Sequence, residues 1–451
     1  MSERGMKRFF IAALVAALIV PAPPVRAAGD SLSQLERIEL QISYLRLTGE
    51  FYQKVDSQTL LDGAYQKIVS DLDQKGVAHP ALAETRATYD ARTDAAAFMN
   101  EVGNAYALAG GKLTSTQLTY DAIGALLAAA KDRYTVFLTP KEYAEMTRGL
   151  AGGEAFGGVG LYIGAELAGE KRAVVLWVVQ GAPADRAGIQ QGDVMVSIDG
   201  KSTAGLETKD VSALLKGQPG TKVRVAVERD GSLLSDPIEI VRREVHAPTV
   251  LAKTLPGNIG FVAITVFGQS TSDELSRALA KFERAGVQAY VLDLRDNGGG
   301  YLDAAIDVSS KFIATGPIVR VTERGGATKQ YDADNAAIPP KPLAVLVNKN
   351  TASASEITSG AIQDRGVGTI VGTRTFGKGV VQSIFPLPDG SAIKITTARY
   401  FTPRGRDINS IGIQPDIATE ENPSPVIGDP AKDAQLQAAL TFLQQKVARA
   451  N

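Results

Sequence analysis

Cysteine is absent from all 451 residues, which excludes a thiol nucleophile, a disulfide framework, a Cys-type zinc site and a lipid-modified amino-terminal Cys. Stability has to come from packing alone. Histidine is nearly absent: His79 and His246 occur in no His-x-x-x-His or comparable spacing, so metal catalysis has no ligand set to start from. Excess charge is missing too. With 48 basic and 49 acidic side chains the net charge is -1, and no field favours nucleic acid or an acidic membrane surface. A hydrophobic run long enough to span a bilayer, roughly 20 residues, is also lacking.

What is present at the start is a shorter pattern. Lys7 and Arg8 precede an apolar stretch from Phe9 to Val20, and Val25-Arg26-Ala27 offers a small-residue cleavage site. We read residues 1–27 as a signal peptide and expect an exported, periplasmic mature chain; the alternative is an uncleaved membrane anchor.

The whole chain, at 44% hydrophobic and 22% charged, is ordinary globular composition for two or three domains. Residues 28–150 read as a helical region, with apolar steps at Leu35, Ile38, Ile42, Leu45 and then Leu60, Ala64, Ile68. Past the Gly-rich stretch Gly149 to Gly160, short β-branched runs (173–179, 193–198, 222–228, 237–242) predict a small β-rich domain over 156–245. From 250 to 420 strands and helices alternate: strands at 259–266, 289–294 and 343–347, helices at 272–285, 302–314 and 354–364. That alternation predicts an α/β layer with parallel strands. A linker and an amphipathic helix over 430–450 close the chain, in a final segment 421–451.

Three segments carry possible chemistry. Ser353, in Asn-Lys-Asn-Thr-Ala-Ser353-Ala-Ser-Glu-Ile, follows a wholly apolar strand and opens a helix, whose first amides can stabilise an oxyanion. A serine in that place is ordinarily just a helix cap, and so is Ser355. As a nucleophile Ser353 needs a base, and both histidines lie upstream of residue 247. Lys378, flanked by glycines and apolar neighbours in Thr375-Phe-Gly-Lys378-Gly-Val-Val-Gln382, serves if burial lowers its pKa. Gln382 can orient its amine without adding charge. Asp293-Leu-Arg-Asp-Asn-Gly298-Gly299-Gly300 is a buried strand running into a glycine turn that fits neither a dinucleotide fingerprint nor a Walker loop. Its outward amides are a second candidate for holding negative charge.

Together these pieces resemble the C-terminal processing peptidases, or tail-specific proteases, from about Asp121 to Ile417. The resemblance rests on Phe156 to Ile163, Gly181 to Gly188, Leu292 to Gly300, Ala352 to Ile357, Thr375 to Gln382, Tyr400 to Gly405 and Gly412 to Asp416. It implies a multidomain α+β protein: N-terminal helices, a PDZ-like β domain and an α/β serine peptidase core of the ClpP/crotonase-like kind. It assigns Ser353 as nucleophile, Lys378 as base and Gln382 as the group that positions it, with no cofactor. The oxyanion falls to the amides of Ala354 and Gly299, although Gly298 stands where the family has proline and leaves the choice between Gly299 and Gly300 open. In the PDZ-like domain, Gly158, Val159, Gly160 and Leu161 form the carboxylate-binding loop, and the strand from Leu161 to Ile163 receives the peptide. Partners are then proteins or peptides with free C-termini; by analogy the helical region is a candidate dimerisation surface, and a regulatory partner is left open. The rival readings are a catalytically silent PDZ adaptor, disfavoured by the joint presence of Ser353, Lys378 and Gln382, and a small-molecule acyl-transfer enzyme, which has no need of a peptide-docking domain.

Overall fold

The computed structural model describes residues 31–80, 82–152, 155–164, 171–421 and 427–450, so the signal-peptide reading lies outside the described residues. The central layer is a six-stranded sheet. Its middle strands, Ile259–Ile264, Ala289–Asp293 and Leu343–Val347, are buried along their whole length and pair in parallel, as continuous apolar runs covered on both faces should. Thr369–Gly372 and Ile417–Ala418 extend the parallel order, while Val250–Leu255, a strand absent from the sequence reading, joins antiparallel at the other edge.

Side-chain alternation divides the two covers. Val262, Ile264, Leu292 and Val345 pack with helices Thr271–Arg284, Leu302–Ser310 and Ala354–Arg365. Phe261, Ala263, Val291 and Leu346 pack with Leu436, Ala439, Leu440 and Leu443, one stripe of the closing helix Ala434–Ala450. Helix Thr271–Arg284 illustrates the local rules: acids in its first turn, bases in its last, and Leu275, Leu279 and Phe282 on the buried side.

A second, antiparallel sheet was not anticipated from the sequence. Val380–Pro386 and Ala392–Phe401 form a hairpin that continues into Pro317–Glu323 and Thr328–Asp332. Its outer member is Val136–Leu138, a strand inside the region expected to be helical throughout. The four helices before it (Gln34–Glu50, Ser57–Gln74, Ala91–Ala109 and Ser115–Ala128) bury a core that also takes in Leu387, Ile393 and Ile395 of the hairpin. The helical region is therefore packed directly against the sheet that carries Gln382.

The β-rich unit has its own core, around Val175, Met195, Val211, Val223 and Val225. Chain entry and exit run side by side, Ala155–Gly158 pairing antiparallel with Arg243–His246. The unit docks through Tyr162, whose hydroxyl donates to Pro248 O, and Trp177, which lies 5.1 Å under the Lys253 ammonium.

Candidate active site

Ser353 caps helix Ala354–Arg365 with φ 57° and ψ −117°, a conformation that costs a non-glycine residue about 1–3 kcal/mol and needs to be held. It is held from several sides. Its N–H donates to Glu356 Oε2 at 2.9 Å, and its carbonyl accepts from Glu356 N, Ile357 N and the Tyr400 hydroxyl at 2.8, 2.9 and 3.1 Å. The backbone is thus fixed in a conformation that a non-glycine residue seldom adopts.

Glu356 ties the second segment to the first. Fully buried, its carboxylate accepts from Thr375 Oγ1 at 2.5 Å, Gly377 N at 2.7 Å and Lys378 N at 2.8 Å as well as from Ser353 N. The amides of Ser353 and Lys378 therefore donate to the same oxygen, Oε2, which fixes the two backbones next to each other. Burial holds the Glu356 pKa above the ordinary carboxylate value against the pull of these four donors.

The Lys378 side chain is half-buried, with its ammonium 4.8 Å from the centre of the Tyr134 ring. Desolvation, helped by the nearby Lys394 cation and opposed by Asp132 and Glu356, brings its pKa down to about 8. The sequence suggested apolar surroundings only; the two carboxylates come from other segments. Gln382, on the hairpin, donates from Nε2 to Thr396 Oγ1 at 3.4 Å.

Gly299 abuts Ser353: at φ 104°, a Cβ there would lie 2.8 Å from Ser353 Cβ, so only glycine fits. Its N–H donates to Asn297 Oδ1 at 2.8 Å, and Ser355 Oγ donates to Asn297 O at 3.0 Å, making Ser355 a brace between the glycine turn and the helix. The strand leading into that turn is clamped by Arg295, paired at 2.6 Å with both Asp293 and Asp433 of the C-terminal segment. His79 lies beside Asp73 in the helical bundle, and His246 on the two-stranded ribbon.

Comparison with known proteins decides the family. Residues 258–419 match Peptidase family S41 and residues 174–229 match a PDZ domain. The chain is 35% identical over 348 residues to a carboxyl-terminal-processing protease of Synechocystis, covering 75% of this chain and 80% of that protein. A chloroplastic C-terminal processing peptidase of Tetradesmus obliquus is 39% identical over 314 residues, 66% and 67% of the two chains. The chain is a C-terminal processing serine protease. A solved S41 structure from Bacteroides fragilis, 20% identical, has the same fold with a TM-score of 0.51 over 70% of this chain and 87% of that one.

In the protease's PDZ domain, Leu161–Gly164 is the edge strand of a seven-stranded sheet, paired on one side only, with Ala173–Val178. The loop before it turns at Gly160, φ 81°, where a Cβ would lie 2.3 Å from Ala182 Cβ. The Val159 and Gly160 carbonyls are already used, accepting from Ala184 N and Val179 N at 2.9 and 3.0 Å. A cavity of about 480 Å³ lies between this domain and the core, lined by Arg148, Phe156, Tyr162, Lys216, Thr265 and Val266. Val266 precedes Phe267, whose backbone pairs with the glycine turn through Gly299 O and Tyr301 N at 3.0 and 2.8 Å.

Two participants escaped sequence reasoning. Glu356 had a signal, the Ser-x-x-Glu pattern of a capping box that begins at Ser353. The Asp132 to Thr135 segment had none, because it reaches the site through strand pairing with residues more than two hundred positions away.

Proposed function

We propose that the protease cuts by acyl transfer with Ser353 as nucleophile and Lys378 as general base, after its PDZ domain has taken hold of a substrate's C-terminus. The observation that carries this reading is the shared Glu356 oxygen, which holds the Ser353 and Lys378 backbones together while burial keeps the lysine pKa at about 8. Ser353 Oγ attacks the scissile carbonyl and its proton passes to the neutral Lys378 amine. The resulting ammonium returns that proton to the departing amine. Water, deprotonated by the same lysine, then hydrolyses the ester and the proton goes back to Ser353.

Ala354 N–H and Gly299 N–H stabilise the oxyanion, Gly299 exchanging its bond to Asn297 Oδ1 for one to the charged oxygen. Gln382 orients the lysine. In the PDZ domain, the loop Gly158 to Leu161 receives the terminal carboxylate and the edge strand through Ile163 pairs with the peptide, the 480 Å³ cavity being lined by Tyr162 of that strand and by Thr265 and Val266 of the core. The export pattern in residues 1–27 makes the substrates exported or unfolded proteins in the periplasm.

The test uses the purified mature protein with unfolded exported proteins, mapping cleavage by mass spectrometry. Ser353→Ala and Lys378→Ala should each abolish cutting with the fold intact, and His246→Ala should leave it unchanged. Full activity in Lys378→Ala refutes the assignment.

A further inference from the structure

We propose that Asp132 and Thr396 are positioning residues for this protease, acting on Lys378 through the amide of Gln382. The inference rests on the Ser353/Lys378/Gln382 reading and adds to it how Gln382 is oriented.

The argument is one of proton direction. Thr396 Oγ1 lies 2.5 Å from Asp132 Oδ2, which also takes the Thr135 hydroxyl at 2.7 Å. An ionised carboxylate only accepts, so the Thr396 hydroxyl must spend its proton on Asp132. Only lone pairs are then left to face Gln382, 3.4 Å away, and these can be met only by a donor. The Gln382 NH2 group is thereby turned to Thr396, and Oε1 is left to accept from the amine of Lys378. A neutral lysine whose N–H is held this way keeps its lone pair for the serine proton. Without the carboxylate the threonine proton is free to rotate, and the amide loses the cue that distinguishes its two ends.

The frame around the relay is rigid. Thr396 is wholly buried, sits opposite Gln382 across the hairpin, receives Tyr52 N on its carbonyl at 3.0 Å and gives its own N–H to Thr135 Oγ1 at 3.1 Å. Asp132 lies where the chain leaves the helical bundle for the strand Val136–Leu138, so the bundle side of the molecule supplies the group that sets the polarity of the site.

The charged and titratable groups facing Lys378 are Lys394 from the hairpin, Asp132, Arg133 and Tyr134 from the segment before Val136, and Glu356 from the helix that Ser353 opens. Removing the Asp132 charge leaves Lys394 and Arg133 opposed only by Glu356, which favours the neutral amine.

The experiment is a double-mutant cycle read as kcat and KM on labelled casein, with thermal melts to check folding. Thr396→Val should lower kcat at least tenfold with KM within twofold, Thr396→Ser should restore it, and Thr396→Val should cost nothing further in a Gln382→Ala background. Asp132→Asn should lower kcat at least fivefold and move the midpoint of the pH rise to lower pH; this arm carries the test if Thr396→Val does not fold. Wild-type turnover in Thr396→Val alongside an impaired Gln382→Ala, additive losses in the cycle, or an unmoved pH midpoint in Asp132→Asn would overturn the relay alone. Full activity in Lys378→Ala or Gln382→Ala would instead overturn the reading beneath it.

Discussion

Lys378 is held where its charge is costly, and that cost is measurable without any substrate. Its pKa of about 8 against an ordinary 10.5 corresponds to about 3 kcal/mol by which folding disfavours the ammonium. Because the folded value lies below the unfolded one, the folded chain gives up this proton first. Between about pH 8 and 10.5 the unfolded chain binds more protons, so this contribution to stability improves as pH rises through that window. Below 8 the whole penalty is present. Lys378→Met keeps most of the aliphatic stem and deletes the charge. Denaturant melts of both proteins should find the variant more stable by up to about 3 kcal/mol at pH 7, the gap closing by about pH 10.5. With Lys378 as the proposed base the same titration should govern turnover: about a tenth of the amine is neutral at pH 7 and about half at pH 8, so kcat/KM of the wild type should climb nearly tenfold per unit up to pH 7 and level off above 9. A variant less stable at neutral pH, a stability gap that ignores pH, or a rate profile turning near 6.5 would refute the reasoning.

Glu356→Gln puts an NH2 group either against the N–H donors of Ser353 and Lys378 or against Gly377 N–H and the Thr375 hydroxyl; it should destabilise by about 2 kcal/mol and cut kcat more than tenfold, measured by melts and steady-state kinetics. Gly298→Pro should fold and retain activity, since a Cβ at that position meets nothing within 4 Å; loss of activity would show that the turn needs the Gly298 N–H or another φ. A peptide with a free apolar C-terminus should bind and be cut better than its amide, and Gly160→Ala, which drives a methyl into Ala182, should erase that difference while leaving cleavage of the amide unchanged. Equal treatment of acid and amide by the wild type would refute C-terminal recognition by this loop.

Local pattern was enough wherever an element reports its own burial. Leu343–Val347 reads as a strand because every residue is apolar, and the helix at 354 is announced by the Ser-x-x-Glu pattern after it. The antiparallel sheet was less legible, since its strands mix inward residues such as Ile393 and Ile395 with Lys394 and Thr396, polar residues that blur the apolar signal. Asp132 and Thr396 stand 264 positions apart, and nothing local to either announces the other. Ser353 and Lys378 were visible as motifs, but the burial that tunes the lysine belongs to tertiary structure.

The ribbon made by Ala155–Gly158 and Arg243–His246 has a consequence for how such a chain can be rearranged. Arg243 stands opposite Gly158 and His246 opposite Ala155, so the PDZ domain leaves and rejoins the chain at one point. To the peptidase core the whole insertion is a single hairpin, and replacing it by a short turn closes the same gap at almost no extra loop entropy. The PDZ unit is thus grafted onto the peptidase frame as an exchangeable cassette: one such unit can be swapped for another while the register of the core strands is left untouched.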